Sequence, residues 1–586
     1  MAGHYIEEAN LPLAFFEMSS KFAEKTLLVD KRDDVWVKQS YAQIADKVKA
    51  LSAILHDMGA KQGDHIVICG ENRSEWAIAD LAVMAIGCVS VPAYTSNTID
   101  DHHYIVTHSA SSFVFCSGGI IGQKMLSALS NIKQNIPFIC FDALTTLDDD
   151  KLVKRYKQGC FELETLLDNA PVFDGFDKAL RNQNSDDVCC IIYTSGTGGR
   201  PKGVKLTHRS IQSNIKAAIE LLDEGDATTD AVFLSLLPLS HSYEHTAGMH
   251  LPFQIAAEVW YCEGADKISA NLAEVKPTLM TAVPRLYEVL HDRIVKGVKA
   301  KGGLSEKLFF TAVRLGRKKA ENMPLSVGET LLDRLVEKLV RGKVRGRLGG
   351  RLKFFVSGGA PLNPDIGYFF LGLGVNILQG YGQTEASPLI SANRPNQIRI
   401  DTVGPVVGGV EVKLAEDGEL LARGDCIMAG YWQDDKATAA TIKDGWLYTG
   451  DLAEISDDGF ITISGRKKDI IVNSGGDNIA PSRVEAFLCI EPEIEQVMVT
   501  GDKRPYLSAI IVPADGDGGA SESQIKAAID RANLRLSQIE QVRKFIIADA
   551  PFTVDNGQMT PTLKVRRHIV QDVYANKIDN LYNNQL

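Results

Sequence analysis

Ten consecutive residues, Thr194-Ser195-Gly196-Thr197-Gly198-Gly199-Arg200-Pro201-Lys202-Gly203, hold four glycines, three hydroxyl side chains and one lysine. Glycines let a turn take backbone angles closed to other residues and bring the main chain close to a ligand. Successive N–H groups in such a turn form an anion-binding concavity. The hydroxyls add neutral donors, and Lys202 adds a charge with three N–H groups. The combination suits a polyphosphate. It is not the Walker-type loop, which requires Gly-Lys-Ser/Thr in direct succession before a helix. Here Pro201-Lys202-Gly203 leads into Val204-Lys205-Leu206-Thr207, which reads as a strand. Taken alone, the stretch could also be a solvated glycine hairpin.

Further segments carry chemistry downstream. Gln379-Gly380-Tyr381-Gly382-Gln383-Thr384-Glu385 follows an apolar run and reads as a strand end opening on a nucleotide. The Tyr381 face can stack on a base, Thr384 can donate to an α-phosphate, and Glu385 supplies the hard oxygen that Mg²⁺ prefers. Ser357-Gly358-Gly359-Ala360-Pro361 reads as a strand end and glycine turn, with Pro361 suited to start a helix. Asp451, closing Gly445-Trp446-Leu447-Tyr448-Thr449-Gly450-Asp451, can accept from both ribose hydroxyls. Arg466 lies in Gly465-Arg466-Lys467-Lys468-Asp469, His241 in Pro238-Leu239-Ser240-His241, and Lys564 in Thr560-Pro561-Thr562-Leu563-Lys564. Each has a plain alternative: Asp451 a turn cap, Arg466 and Lys564 surface charges, His241 a satisfied core or turn residue.

Taken in order, these segments resemble the motifs of the adenylate-forming superfamily: acyl-CoA synthetases, luciferases and peptide-synthetase adenylation domains. The first matches the phosphate loop Ser-Gly-Thr-Thr-Gly-x-Pro-Lys-Gly, except that Gly198 stands where a second threonine is usual, so a glycine N–H would replace one hydroxyl contact. The resemblance implies an ATP and AMP site at Thr194, Ser195, Gly196, Thr197, Gly198, Gly199, Lys202 and Gly203. It extends this site to Gly359, Ala360, Pro361, Gly380, Tyr381, Gly382, Gln383, Thr384, Asp451 and Arg466. It implies Mg²⁺ on Thr194 and Glu385, and catalytic roles for Lys564, Lys202, Thr384 and His241. Lys468 falls at the family's hinge, and Ser474, Gly475 and Gly476 fall in the loop that lines the CoA channel.

The Thr-Pro-Thr-x-Lys ending and a basic helical segment are most similar to bacterial long-chain fatty acid–CoA ligases. The implied reaction forms acyl-AMP from a fatty acid and ATP, then passes the acyl group to CoA. A fatty acyl-AMP ligase loading a carrier protein, a medium-chain or aromatic acid–CoA ligase, and a nucleotide-binding fatty-acid-trafficking protein remain as alternatives.

Elements must hold these residues in place. With 586 residues the chain should exceed one domain, since single cores stop growing near ~250–300 residues. Continuously apolar Val188–Ile192 reads as a buried strand. Strand-like His65–Cys69, helical Ser74–Ile86, and strand-like Val89–Pro92 and Ser112–Cys116 predict an α/β fold with largely parallel sheets. Gln123–Ile132 reads as a further helix. The expected organisation is an N-terminal domain over 1–467, with a β-rich part at about 400–467, and a mobile α+β domain over 468–586.

The formal charge of −11 argues against general nucleic-acid binding. Ten scattered cysteines without Cys-x-x-Cys suggest neither zinc nor a redox dithiol and fit a reducing cytoplasm. The first eight residues lack a basic region followed by an apolar core, so no secretory signal is expected. The apolar run Trp76–Tyr94 is interrupted by Asp80, Gly87 and Pro92 and reads as a buried helix and strand rather than a membrane span. Leu304–Leu348 reads as helical and basic, with Arg314, Arg317, Lys318, Lys319, Arg341, Lys343, Arg345 and Arg347. It should be mostly a solvated face, with peripheral contact to an anionic membrane as the alternative.

Overall fold

Short apolar runs, alternating with helical periodicity, build two sheets of eight strands each. The computed structural model describes residues 6–147, 159–194, 200–228, 230–514, 519–560, 562 and 564–583. The first sheet runs Gly430–Tyr431, Lys202–Thr207, Val188–Thr194, Val89–Ala93, His65–Cys69, Phe113–Cys116, Phe138–Cys140, Cys160–Glu162. The second runs Leu389–Ala392, Asn376–Gly382, Phe354–Ser357, Leu279–Ala282, Val232–Ser235, Glu258–Tyr261, Thr26–Arg32, Val35–Ser40. Antiparallel pairs occur at one end of the first sheet and both ends of the second; the strands between are parallel. His65–Cys69 and Val89–Ala93 are buried at every residue, as a sheet covered on both faces requires.

The helix Ser74–Ala85 is apolar on all sides because it packs on all sides: Trp76 through Ala85 are buried. Gly87, with φ of 75°, then turns the chain into Val89–Ala93. Among the described residues no helix is long and apolar enough to cross a membrane. The helix expected at Gln123 instead spans Gly119–Ser130. Glycines at 119 and 122 weaken its early periodicity, while Gly122 lets it close onto Leu147 and the Ser117 carbonyl.

A five-stranded antiparallel sheet follows, built from Val410–Leu414, Glu419–Gly424, Ile442–Lys443, Trp446–Ile455 and Ile461–Arg466. The C-terminal unit centres on Ile494–Thr500, Leu507–Pro513 and Val542–Ile547. Val497, Val499, Leu507, Ala509 and Ile511 face the helices Pro481–Leu488 and Glu522–Asn533. Met498, Ile510 and Val512 face Arg567–Val573 and Ala575–Asn583. This unit is tied to the larger one by an ion pair from Arg535 to Asp365, which Arg317 also meets at 3.0 Å. Asn363 Nδ2 donates to the Ala486 carbonyl at 3.3 Å.

The basic segment differs from a simple solvated face. Arg314 and Lys318 of Gly303–Ala320 meet Glu329 of Val327–Val336, Lys319 and Arg341 meet Asp333, and Arg345 meets Glu337. Arg341 is buried and also donates to the Gly372 and Ala312 carbonyls. Helical periodicity shows which side a residue lies on, but not that a second helix brings acids to meet it.

The first helix, Leu11–Lys21, is anchored by a buried histidine. His208 Nδ1 accepts from the Leu11 N–H at 3.3 Å, and its Nε2 lies 3.2 Å from Gln183 Oε1. A protonated imidazole would set a donor against the Leu11 donor. Burial lowers His208 to about 3 and, with no hydrogen-bond partner at either ring nitrogen among the described residues, His102 to about 4. The stability these neutral rings contribute is whole above the ~6.5 of a free imidazole and is lost as pH falls toward the native values. We expect stability to fall by about 1.4 kcal/mol per pH unit per group between about pH 6.5 and 4. His208→Gln should flatten that slope in thermal unfolding followed against pH.

Candidate active site

The phosphate hairpin is framed by Val188–Thr194 and Lys202–Thr207, paired antiparallel with Thr194 opposite Lys202 and Tyr193 opposite Gly203. Ser195, Gly196, Thr197, Gly198 and Gly199 lie outside the described residues. The second strand begins at Lys202 rather than Val204, so strand geometry, not loop geometry, aims the Lys202 side chain. Tyr104 closes the base of the hairpin: its hydroxyl donates to the Pro201 carbonyl at 3.0 Å and its ring underlies Arg200. Gly203 has no room for a side chain, since a Cβ would sit 2.8 Å from Ile191 Cγ2.

A third strand joins this hairpin to the metal candidate. Tyr431 pairs with Val204, its ring lies 4.7 Å from Lys202 Nζ, and its hydroxyl donates to Glu385 Oε1 at 2.9 Å. The Met428 N–H donates to the Glu385 carbonyl at 2.9 Å. Burial, and then the Glu385 charge, push the Tyr431 phenol up, so it stays a donor. Glu385 Oε2 makes no hydrogen bond to a described residue, and Thr194 stands half-buried at the end of its strand. A carboxylate oxygen held from behind, with a hydroxyl in the adjoining hairpin, is a donor set that fits Mg²⁺.

Phe354–Ser357 and Asn376–Gly382 are parallel neighbours with Ser357 opposite Gln379. The turn carrying Gly359, Ala360 and Pro361 therefore emerges beside Gly380, Tyr381, Gly382 and Gln383. Pro361 does not begin the next helix. That helix starts at Pro364, where Asn363 caps it by accepting from the Asp365 N–H at 2.9 Å. Gly359 has φ of 83° and makes the turn possible. Gly382 is required for another reason: a Cβ there would lie 1.8 Å from the Pro388 carbonyl oxygen. The Gln383 Nε2 is buried without a hydrogen-bond partner among the described residues. Thr384 Oγ1 lies 3.0 Å from Ser242 Oγ, which couples this segment to the one bearing His241.

Asp451 and Arg466 face each other across adjacent strands, with Arg466 Nε 3.0 Å from Asp451 Oδ1. The Tyr381 hydroxyl donates to Asp451 Oδ2 at 2.6 Å. Tyr381 thus offers more than a stacking face: it also orients the carboxylate. Burial raises the Asp451 pKa, and the Arg466 charge works against that rise.

Lys564 reaches this cluster from the far end of the chain. Its ammonium lies within electrostatic reach of Arg466, Asp451, Glu385 and His241. Lys564 keeps solvent-exposed surface, yet crowding by the surrounding protein lowers its pKa and Arg466 lowers it further, while Asp451 and Glu385 pull the other way. A backbone bracket holds it: the Thr560 N–H donates to the Lys564 carbonyl at 2.8 Å, and the Lys564 N–H to Thr560 Oγ1 at 3.1 Å. His241 Nδ1 accepts from the Tyr243 N–H at 3.2 Å, which leaves Nε2 to carry the proton. Burial, then the Lys564 charge, lower this imidazole to about 4, so it is a neutral donor.

Lys468 is exposed in the turn after Ile461–Arg466. Ser474, Gly475 and Gly476 form an exposed turn between Ile471–Val472 and Asn478–Ile479, shaped by Asn473 Oδ1 accepting from the Gly475 N–H at 2.9 Å. No hydrogen bond or ion pair among the described residues links this turn to the cluster around Asp451. Sequence reasoning missed two residues. Ser242 had one signal, its place beside His241; Tyr431 had none, because only strand pairing brings it to Glu385.

The profile of the AMP-binding enzyme family matches residues 15–432, and that of the AMP-binding enzyme C-terminal domain matches residues 468–586. The chain is 32% identical to the long-chain-fatty-acid–CoA ligase FadD15 of Mycobacterium bovis, covering 99% of this chain and 98% of that one. It is 28% identical to the chloroplastic long-chain-fatty-acid–[acyl-carrier-protein] ligase AEE15 of Arabidopsis thaliana, covering 96% and 85%. Among solved structures, the A-PCP didomain of carboxylic acid reductase from Segniliparus rugosus, in complex with AMP, shares the fold. Its TM-score is 0.77 at 21% identity, over 98% of this chain and 82% of that one.

Tyr431→Phe keeps the ring beside Lys202 and removes only the donor to Glu385. Second-layer losses of this kind typically weaken metal affinity ~10–100-fold. Calorimetric titration of ATP at varied Mg²⁺ should show that shift with the circular dichroism unchanged. An unaltered Mg²⁺ requirement would mean that Glu385 is held without the phenol.

Proposed function

Because the chain belongs to the family of AMP-binding enzymes and is an adenylate-forming ligase, we propose that it activates long-chain fatty acids with ATP and transfers them to CoA. The fatty acid carboxylate attacks the α-phosphorus, pyrophosphate leaves, and acyl-AMP is formed. The CoA thiolate then displaces AMP and gives the thioester. Two anions must meet in the first half, so charge neutralisation and in-line positioning supply most of the acceleration.

The observation that carries this reading is the Asp451 carboxylate held by Arg466 and the Tyr381 hydroxyl, with the Lys564 charge acting on it. In this role the ammonium bridges the attacking carboxylate and the α-phosphate. Lys202 meets the leaving pyrophosphate, Thr384 donates to the α-phosphate, and neutral His241 donates at the acyl carboxylate. Asp451 and Arg466 hold the ribose, with adenine between Tyr381 and the Gly359–Pro361 turn. Thr194 and Glu385 would hold Mg²⁺, which supplies charge neutralisation on the phosphates.

The second half calls for a different arrangement. We take Lys468 as the pivot of a C-terminal domain running from about that residue. Its rotation withdraws Lys564 and brings the Ser474–Gly476 turn to the thiol's path. The small-molecule partners are then fatty acid, ATP and CoA. A cytoplasmic setting with peripheral contact at the inner membrane face goes with this reading, as do ten unpaired cysteines. A second reading, transfer to an acyl carrier protein, is favoured by the name of the Arabidopsis relative.

Pyrophosphate release against a panel of carboxylic acids tests the substrate class. We expect long-chain acids to give the highest kcat/KM, and palmitoyl-CoA to form with CoA alone. A requirement for a carrier protein would favour the second reading. Lys564→Ala should lose acyl-AMP formation by ~10²–10³-fold or more yet still convert supplied acyl-AMP to thioester. Equal damage to both halves in single-turnover assays would sink the rotation.

A further inference from the structure

The segment Pro284–Leu348 carries sixteen lysines and arginines against seven acids, a net of +9 in a chain whose total is −11. Its charge is sorted by side. On the stretch formed by Val327–Val336 and Glu337–Arg341, Glu329 and Asp333 turn toward the protein, and Glu337, its side chain 45% exposed on the flank, is paired with arginines. Glu329 meets Arg314 and Lys318, Asp333 meets Lys319 and Arg341, and Glu337 meets Arg341 and Arg345. The outer side carries no acid. It presents Val327, Leu331, Leu335 and Leu339, spaced four apart and 83%, 63%, 49% and 40% exposed. Between them stand Arg334 and Lys338, both exposed and without an ion pair to any described residue. Lys343 and Arg347 extend the same exposed basic border.

An apolar stripe rimmed by unneutralised cations on a convex helix is the pattern of a helix lying in a membrane interface. A groove would suit a peptide, but a single ridge buries little against a flat protein and much among acyl chains. Lysine and arginine stems beside it can lay their carbons along the apolar boundary while their charges meet headgroups. The rest of the chain is strongly negative and is repelled by the same surface, so the field of the whole protein turns this side toward it.

We propose that this helical ridge is a docking surface for an anionic lipid bilayer, inserting Val327, Leu331 and Leu335 at the headgroup boundary. The proposal locates the membrane contact suggested above. It rests on the long-chain reading only for its purpose, which is to hold the enzyme where an amphiphilic acid resides.

The test is co-sedimentation of the full chain with phosphatidylcholine vesicles, with and without about a third of phosphatidylglycerol. The wild type should bind the anionic vesicles, and added salt should weaken the binding. Leu331→Glu with Leu335→Glu should lower it roughly tenfold or more. Arg334→Ala with Lys338→Ala should lower it several-fold, on anionic vesicles only. Neither pair touches the nucleotide site, so pyrophosphate release with a short, water-soluble acid should not change. Absent wild-type binding, or variants that bind as the wild type does, would overturn the docking surface. So would a wild-type dimer in sedimentation velocity that the Leu331→Glu, Leu335→Glu pair splits, since the ridge would then bury a second copy. Vesicle binding with no pyrophosphate from any acid would refute the functional reading and leave the docking surface standing.

Discussion

An ammonium brought by one folded unit into a cluster of charges built by another is the arrangement on which this site depends. Lys564 keeps exposed surface but faces a like charge on Arg466, with Asp451 and Glu385 as partial compensation. The local bracket to Thr560 holds the Lys564 backbone but does not choose that position. It is imposed by the packing of the C-terminal unit, through Arg535 on Asp365 and Asn363 on the Ala486 carbonyl. A polyphosphate would be the natural counter-charge for Arg466 and Lys564, and among the described residues Lys202 is linked to this cluster only through the Tyr431 ring, whose hydroxyl holds Glu385.

The scaffold assembles the cluster by ending strands together. Parallel neighbours release their loops at one edge, so Ser357 opposite Gln379 suffices to set the glycine turn beside Gly380 and Tyr381. Strand pairing also sets Asp451 opposite Arg466 and carries Tyr431 to the phosphate hairpin. Close approach is then limited by atoms rather than by conformation. At Gly382 the Pro388 carbonyl leaves no space for a methyl group. The buried Ser242–Thr384 contact locks the segment bearing His241 to the one bearing Thr384 and Glu385.

Charge elsewhere follows the same economy. Asp80 lies fully buried with its carboxylate between His245 Nε2 at 3.2 Å and His250 Nε2 at 3.3 Å, and it accepts from the Ser90 hydroxyl at 2.6 Å. Burial alone would raise its pKa; the two imidazoles outweigh burial and hold it well below the usual carboxylate range. Glu329 and Asp333 on the basic helices are likewise turned inward and paired. What remains outside is a surface whose character no composition average reveals.

Residue types and spacing alone made the α/β class legible, along with the buried strands at His65 and Val188 and the glycine turn before Lys202, whereas Lys564 was singled out only by the resemblance. The strands and the turn are short segments whose backbone behaviour is local. Tertiary structure alone decided that Lys202 is aimed by a strand, that Pro364 rather than Pro361 opens a helix, and that the Tyr381 hydroxyl orients Asp451. It alone placed Tyr431 behind Glu385 and turned Glu329 and Asp333 inward. These depend on contacts between residues tens to hundreds of positions apart. Such contacts form only when sheets and helices pack, and no periodicity along the chain encodes them.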